Sequence, residues 1–170
     1  MDAAELKAMQ TPIKARYKEE PDAALITLKA EGEVGQGGLA CKVDTGRALI
    51  EAGLHPATGG SGLQACSGDM LLEALAACAG VTLAAVSTAI GVEVRSGKVR
   101  VEGDLDFRGT LGVAKDAPVG FRDIRLAFDL DTDATQEQLD QLLKLTERYC
   151  VVLQTLRTPP VTSACIKRAA

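Results

Sequence analysis

Hydrophobic and polar positions divide this chain into short alternating runs and two long helical runs. Residues 1–10 predict a short helical arm, part of an appended N-terminal segment of residues 1–12. Segments Ile13–Tyr17, Ala24–Glu31 and Leu39–Asp44 alternate over a few positions each. Turn signals at Glu20-Pro21-Asp22 and Gly35-Gln36-Gly37-Gly38 separate them, so they predict a meander of antiparallel strands. The segment from Ala52 to Ser67 is rich in Gly, Pro, Ser and Thr and longer than a routine connection, as functional or mobile loops are. From Asp69 to Ile90 the pattern becomes apolar nearly all round. Ser67 can serve as its N-cap, Asp69 suits the positive end of a helix, and Gly91 can close the other end. At 1.5 Å per residue such a helix is about 33 Å long.

A helix with no polar face is either buried on every side or spans a membrane. Glu73 within the segment, its Ala-rich make-up and the lack of aromatic or basic flanks favour a buried central helix. Strands are expected next at Val92–Arg95, Lys98–Arg108 and Phe121–Asp129, with Val99, Val101 and Leu105, then Ile124, Leu126 and Phe128, on one face. Between the last two, Gly109 to Gly120 is a turn-rich crossing. A second helix starts near Thr135, whose Thr-Gln-Glu-Gln sequence has capping-box form. Its inner stripe reads Leu139, Leu142, Leu143, Thr146, Cys150, Leu153 and Leu156, and Thr158-Pro159-Pro160 stops it. A last strand is expected at Val161–Ile166. Strands, long helix, strands, long helix, strand is an α+β order, expected to form a single domain over residues 1–170.

Hydrophobic residues make up 46% and charged residues 25%, which argues against disorder, while aromatics at 3% leave the core to Leu, Val, Ile and Ala. A net charge of −4 advertises neither nucleic acid nor an anionic membrane as a partner. The start Met1-Asp2-Ala3-Ala4-Glu5-Leu6-Lys7 lacks the basic and apolar run of a secretory leader, so a cytoplasmic protein is expected, with its five cysteines as thiols. They include no CxxC pair, and the single histidine, His55, reads as an exposed loop residue, so no metal cluster is expected. Gly59-Gly60-Ser61-Gly62 lacks the lysine of a phosphate loop, and Asp129, Asp131 and Asp133 do not follow a calcium-loop pattern. No cofactor is expected.

The candidate chemistry lies in Cys78 and Cys150. Cys150 follows Leu143 by seven residues, about 20° off the same line on a helix. Cys78 sits in mid-helix, in an element expected to have no solvent face. Two crossing helices at 8–10 Å could bring the thiols together. They can be read as two buried thiols filling small gaps. They can also be read as a nucleophile and a resolving thiol, and spacing alone does not choose. Cys66, at the helix start, is read either as a loop cysteine of no consequence or as a thiol activated by the helix end. Cys41 and Cys165 fall on expected strands.

The run Met70-Leu71-Leu72-Glu73-Ala74-Leu75-Ala76-Ala77-Cys78-Ala79-Gly80 resembles the central-helix signature of the OsmC/Ohr superfamily. Farther along, Arg148-Tyr149-Cys150-Val151-Val152-Leu153-Gln154-Thr155-Leu156 resembles its second signature, and the resemblance spans roughly residues 24–168. It implies an intertwined α+β homodimer, with antiparallel sheets wrapped around two long helices. It further implies reduction of organic hydroperoxides, with Cys78 reactive and Cys150 resolving, in an oxidative-stress response. A dithiol reductant such as lipoyl groups would restore the pair. The family's peroxidases add an Arg in an early Gly-rich turn and a Glu at the start of the central helix. Here the turn Val34–Leu39 has no Arg, Arg47 is the nearest, and the carboxylates on offer are Asp69 and Glu73. On a regular helix Asp69 lies nearly opposite Cys78, and Glu73 about 140° away. A non-catalytic dimer of the same fold, binding a small apolar or thiol-reactive ligand between subunits, is the alternative.

Overall fold

The structure is a computed structural model that describes residues 3–35, 41–43, 52–166 and 168. The chain opens with helix α1, Ala3–Glu19, which runs through Pro12. The strand expected at Ile13–Tyr17 is therefore corrected to helix. Ile13, Ala15 and Tyr17 alternate with Lys14 and Arg16, but Ile13 and Tyr17 are also one helical turn apart, and the helical period prevails. Both pack into the core, Tyr17 almost completely, and the Tyr17 hydroxyl donates to the Ala57 carbonyl at 2.7 Å.

Strands β1 (Leu25–Gly35), β2 (Cys41–Val43), β5 (Ser96–Asp106) and β6 (Phe121–Asp131) form an antiparallel sheet in the order β2-β1-β5-β6. Between β2 and β5 lie β3 (Ala52–Gly53) and β4 (Ala65–Cys66), a small parallel pair inside the segment expected to be loop. Alternation along β5 puts Val99, Val101 and Leu105 into the core, while Arg100 and Glu102 face away. On that outer face Arg125 meets Asp104 at 2.7 Å and Asp123 at 3.0 Å, and Arg100 pairs with Asp129. Gly103 faces inward: a Cβ there would stand 2.5 Å from the Phe121 ring and 3.2 Å from Leu72. The missing side chain lets strand, ring and helix close up.

Across the inner face lies α2, Ser67–Ile90, capped by Cys66 and ended by Gly91 in the left-handed region at φ 70°. Leu72, Leu75, Ala76, Ala79, Leu83 and Ala84 are buried, and the small residues let α2 sit close to the sheet. By length and hydropathy this helix could cross a bilayer, yet half of its most apolar stretch is buried inside the protein. The expectation of burial on every side is corrected. Leu71 and Val81 are 37% and 39% exposed, and Ala74 and Ala85 lie on the same open face. The sheet, α4 and α5 pack on α2, and among the described residues none covers this stripe.

No strand forms at Val92–Arg95, where Val92 donates back to Ser87 and Arg95 to Asp131. A short helix, α3 (Phe107–Thr110), follows β5. The second helical run begins as expected, with Thr135 and Gln138 forming a complete capping box. It then divides into α4 (Gln136–Tyr149) and α5 (Val151–Arg157). The expectation of one continuous helix is corrected: Cys150, at φ −71° and ψ 106°, caps both pieces. The strand expected at Val161–Ile166 is also corrected, because these residues have no strand partner and Val161 and Ile166 are 102% and 100% exposed.

Candidate functional site

The break at Cys150 is what builds the site. Cys150 donates its N–H to the Thr146 carbonyl at 2.9 Å as the last turn of α4. Its own carbonyl accepts from Gln154 at 2.9 Å as the first turn of α5. The first N–H groups of a helix have no partner within it. Here those of Val151 and Val152 reach the Cys78 thiol, while those of Leu153 and Val152 reach Cys150. The two thiols also hydrogen-bond each other, so the structure brings Cys78 of α2 and Cys150 together across the helix contact.

Their environments differ. Cys150 is fully buried, whereas Cys78 is half-buried, beside the open face of α2. Burial pushes the Cys150 thiol up to about 11, and a charged Cys78 beside it pushes in the same direction. Burial also disfavours the Cys78 thiolate, but hydrogen bonds from the Val152 N–H, the Cys150 thiol, the Val151 N–H and the Thr82 hydroxyl outweigh it. The Cys78 thiol is held below its ordinary range. The pair is thus polarised, with the more accessible sulfur more readily ionised, as a nucleophile and its resolving partner require.

Asp69 and Glu73 do not join them. Asp69, in the first turn of α2, is raised by burial and lowered by nearby His55. Glu73, half-buried one turn later, is also not among the groups acting on Cys78. The helix is regular, so the angular separation expected from the sequence persists. His55 is not the exposed loop residue expected: it is half-buried, stacks on Phe107 at 4.9 Å, and its Nδ1 accepts from the Ala57 N–H at 3.0 Å. Cys66 is the N-cap of α2 without a side-chain cap bond, and Cys165 is exposed. Arg47 and the turn at residues 36–40 lie outside the described residues, as does the side chain of Cys41. No cluster of His, Cys, Asp and Glu suited to a metal occurs among the described residues.

Thr82 was missed by the sequence reading, although its i+4 spacing from Cys78 is a signal for a hydroxyl on the thiol's side of the helix. An open groove of about 510 Å³ runs between β6 and α5, and neither thiol is among its lining residues. Leu71, Phe121, Ile124, Leu153 and Leu156 line it together with the charged Arg122, Asp123, Glu147 and Arg157. Leu71 lies seven residues before Cys78 on nearly the same line of α2, and the Leu153 N–H is the one that reaches Cys150.

Comparison with known proteins identifies the family and the fold. The family profile described as OsmC-like protein matches residues 60–164, which include both thiols and Thr82. An OsmC-like hydroperoxide resistance protein from Jannaschia sp. CCS1 has a similar solved structure, with a TM-score of 0.62 at 17% identity over 85% of this chain and 95% of that one. An OsmC-like protein from Mycoplasma pneumoniae is similar at a TM-score of 0.55 and 16% identity, over 76% of this chain and 86% of that one. No curated protein sequence matches. At these identities the two structures speak for the fold alone. The profile match covers more than half of the sequence, and the chain belongs to the OsmC-like protein family, which includes hydroperoxide resistance proteins.

Proposed function

We propose that this protein is a thiol-dependent peroxidase that reduces organic hydroperoxides, with Cys78 as nucleophile and Cys150 as resolving thiol. The observation that carries the reading is the contact between a half-exposed, acidified thiol and a fully buried, reluctant one. In the first step the Cys78 thiolate attacks the terminal peroxide oxygen and the O–O bond breaks. Sulfur is oxidised to a sulfenic acid, and the alkoxide leaves and takes a proton from water. In the second step the Cys150 sulfur attacks the Cys78 sulfenic acid, forming the disulfide and releasing water. A dithiol, such as lipoyl groups, then exchanges with the disulfide and returns both thiols. The groove lined by Leu71, Phe121 and Leu153 suits the apolar body of an organic peroxide better than hydrogen peroxide itself.

The protein works as a cytoplasmic homodimer in this proposal. The open face of α2, with Leu71, Ala74, Val81 and Ala85, and the exposed apolar Val161 and Ile166 support a second copy as cover. One observation favours a second reading, a non-catalytic dimer that binds an apolar or thiol-reactive ligand: among the described residues, the hydrogen bonds that lower Cys78 all come from uncharged groups.

Titration with cumene hydroperoxide, followed by counting free thiols and mapping disulfides by mass spectrometry, separates the two. The peroxidase forms a Cys78–Cys150 disulfide, Cys78→Ser abolishes peroxide consumption, and Cys150→Ser drives Cys78 on to the sulfinic acid. Survival of both thiols in excess peroxide, or oxidation confined to Cys66, overturns it.

A further inference from the structure

A bulge in β6 brings an arginine to the groove between that strand and α5. Phe121 pairs with Leu105 and Asp123 with Asp104, so two neighbouring residues of β5 face three of β6, and Arg122 is the extra one. We propose that this groove binds a long-chain monocarboxylate, an amphiphile of fatty-acid type, with its carboxylate on Arg122 and its alkyl chain along the apolar walls. The inference goes beyond the peroxidase reading and does not need it. Neither thiol lines the groove, and binding there involves no reaction at sulfur.

Bulges interrupt the two-residue alternation of a strand, redirect a side chain and gather beside functional sites. After this one the alternation resumes with Ile124 and Leu126, which line the groove with Phe121. Opposite them α5 presents Leu153 and Leu156, three positions apart and so on one helical face. The space of about 510 Å³ falls within the range of roughly 300–1,000 Å³ found for small-molecule sites. Walls of Phe, Ile and Leu suit an alkyl chain, which gains by leaving water for them.

Four charged residues line the groove, and three of them sit in close ion pairs. Arg157 holds Glu147 at 2.7 Å, and Arg125 holds Asp123 at 3.0 Å. The Arg122 guanidinium instead stands 3.9 Å from Asp106, a buried carboxylate that Arg108 already grips at 2.6 Å. Two guanidiniums around one carboxylate leave one positive charge, and it falls on the half-exposed Arg122. An exposed ion pair of that length contributes little to stability, so a ligand can engage the guanidinium without undoing the fold. Its planar fork of N–H donors matches the two oxygens of a carboxylate. Asp123 and Glu147 close by repel a doubly charged head more than a singly charged one, which selects a monoanion.

The test is calorimetric titration of the full chain with hexanoate, octanoate and decanoate, and with octanol as the uncharged counterpart. Wild type is expected to bind octanoate about tenfold more tightly than octanol. Affinity is expected to rise about fourfold with each methylene added to the carboxylate, until the groove is full. Arg122→Gln is expected to bind octanoate about tenfold more weakly and octanol within about twofold of wild type. Circular dichroism verifies the fold of the variant, and the comparison of octanoate with octanol in wild type stands without it. Failure of wild type to bind octanoate, or equal affinity for octanoate and octanol, overturns the assignment. So does an Arg122→Gln protein that binds octanoate like wild type, or that loses octanol as strongly as octanoate. The titrations contain no peroxide, so neither result depends on the chemistry of Cys78.

Discussion

At the scale of single residues, the site turns on which polar atoms burial leaves without water. Thr146, one turn before Cys150 on α4, is fully buried, and its hydroxyl has no hydrogen-bond partner among the described residues. A buried donor left unpaired costs about 1–3 kcal/mol, which replacement by an apolar group of the same shape relieves. Thr146→Val is therefore expected to stabilise the protein by about 1 kcal/mol. Urea unfolding checks this; a loss of stability would mean that the hydroxyl has a partner after all. Its neighbour Cys150 shows the other outcome, since Cys78 and the backbone of α5 satisfy its sulfur. Sequence pattern placed both residues on an inner stripe, and both are buried. It could not tell the satisfied group from the orphan, because partners come from α2 and from a change of backbone direction.

Elements show where local signals decide and where packing overrides them. The Thr135 capping box and the Gly91 stop act through nearest neighbours, and both form as the sequence indicates. The break at Cys150 leaves no such local mark, because no Gly or Pro punctuates it. That break has a consequence in pH. The buried Cys150 thiol sits at about 11, above its unfolded value of about 8.5. A thiol raised in the folded state stabilises the fold below its unfolded value, and that contribution is lost as pH climbs towards the folded value. Cys78 is shifted the other way, so its contribution is complete above its unfolded value and offsets nothing further there. Wild type is thus expected to lose stability relative to Cys150→Ala between pH ~9 and about 11. Urea midpoints measured across that range give the difference, and a flat difference would sink the assignment.

For the whole molecule, the sheet order β2-β1-β5-β6 lays one face against α2 and leaves the opposite side of that helix open. The sequence reading treated an all-apolar helix as buried on every side, and one chain supplies only half of the cover. In the proposed homodimer a second copy covers that side, and Val81 lies in the middle of the open stripe. In sedimentation, wild type is expected at twice the chain mass. Val81→Arg, which places a charge where a second helix would pack, is expected to sediment as a monomer with an unchanged circular dichroism spectrum. A monomeric wild type, or an unaffected variant, rules this interface out.

The sequence by itself determined the α+β class, the end of α2 at Gly91, the start of α4 and the two thiols worth watching. Each depends on periodicity, capping or a residue motif, which act over a few neighbours. It misread Ile13–Tyr17, where five residues satisfy a period of two and a period of nearly four equally well. It also placed a strand at Val161–Ile166, which finds no sheet edge among the described residues. Only the tertiary structure decided which groups surround Cys78. The N–H donors of α5 come from residues more than seventy positions away, and they are exposed only because the helix restarts after Cys150. Asp69 and Glu73 were close in sequence and lost their place for the same reason that Thr82 gained one: on a rigid helix, angle rather than distance along the chain selects the partners of a side chain.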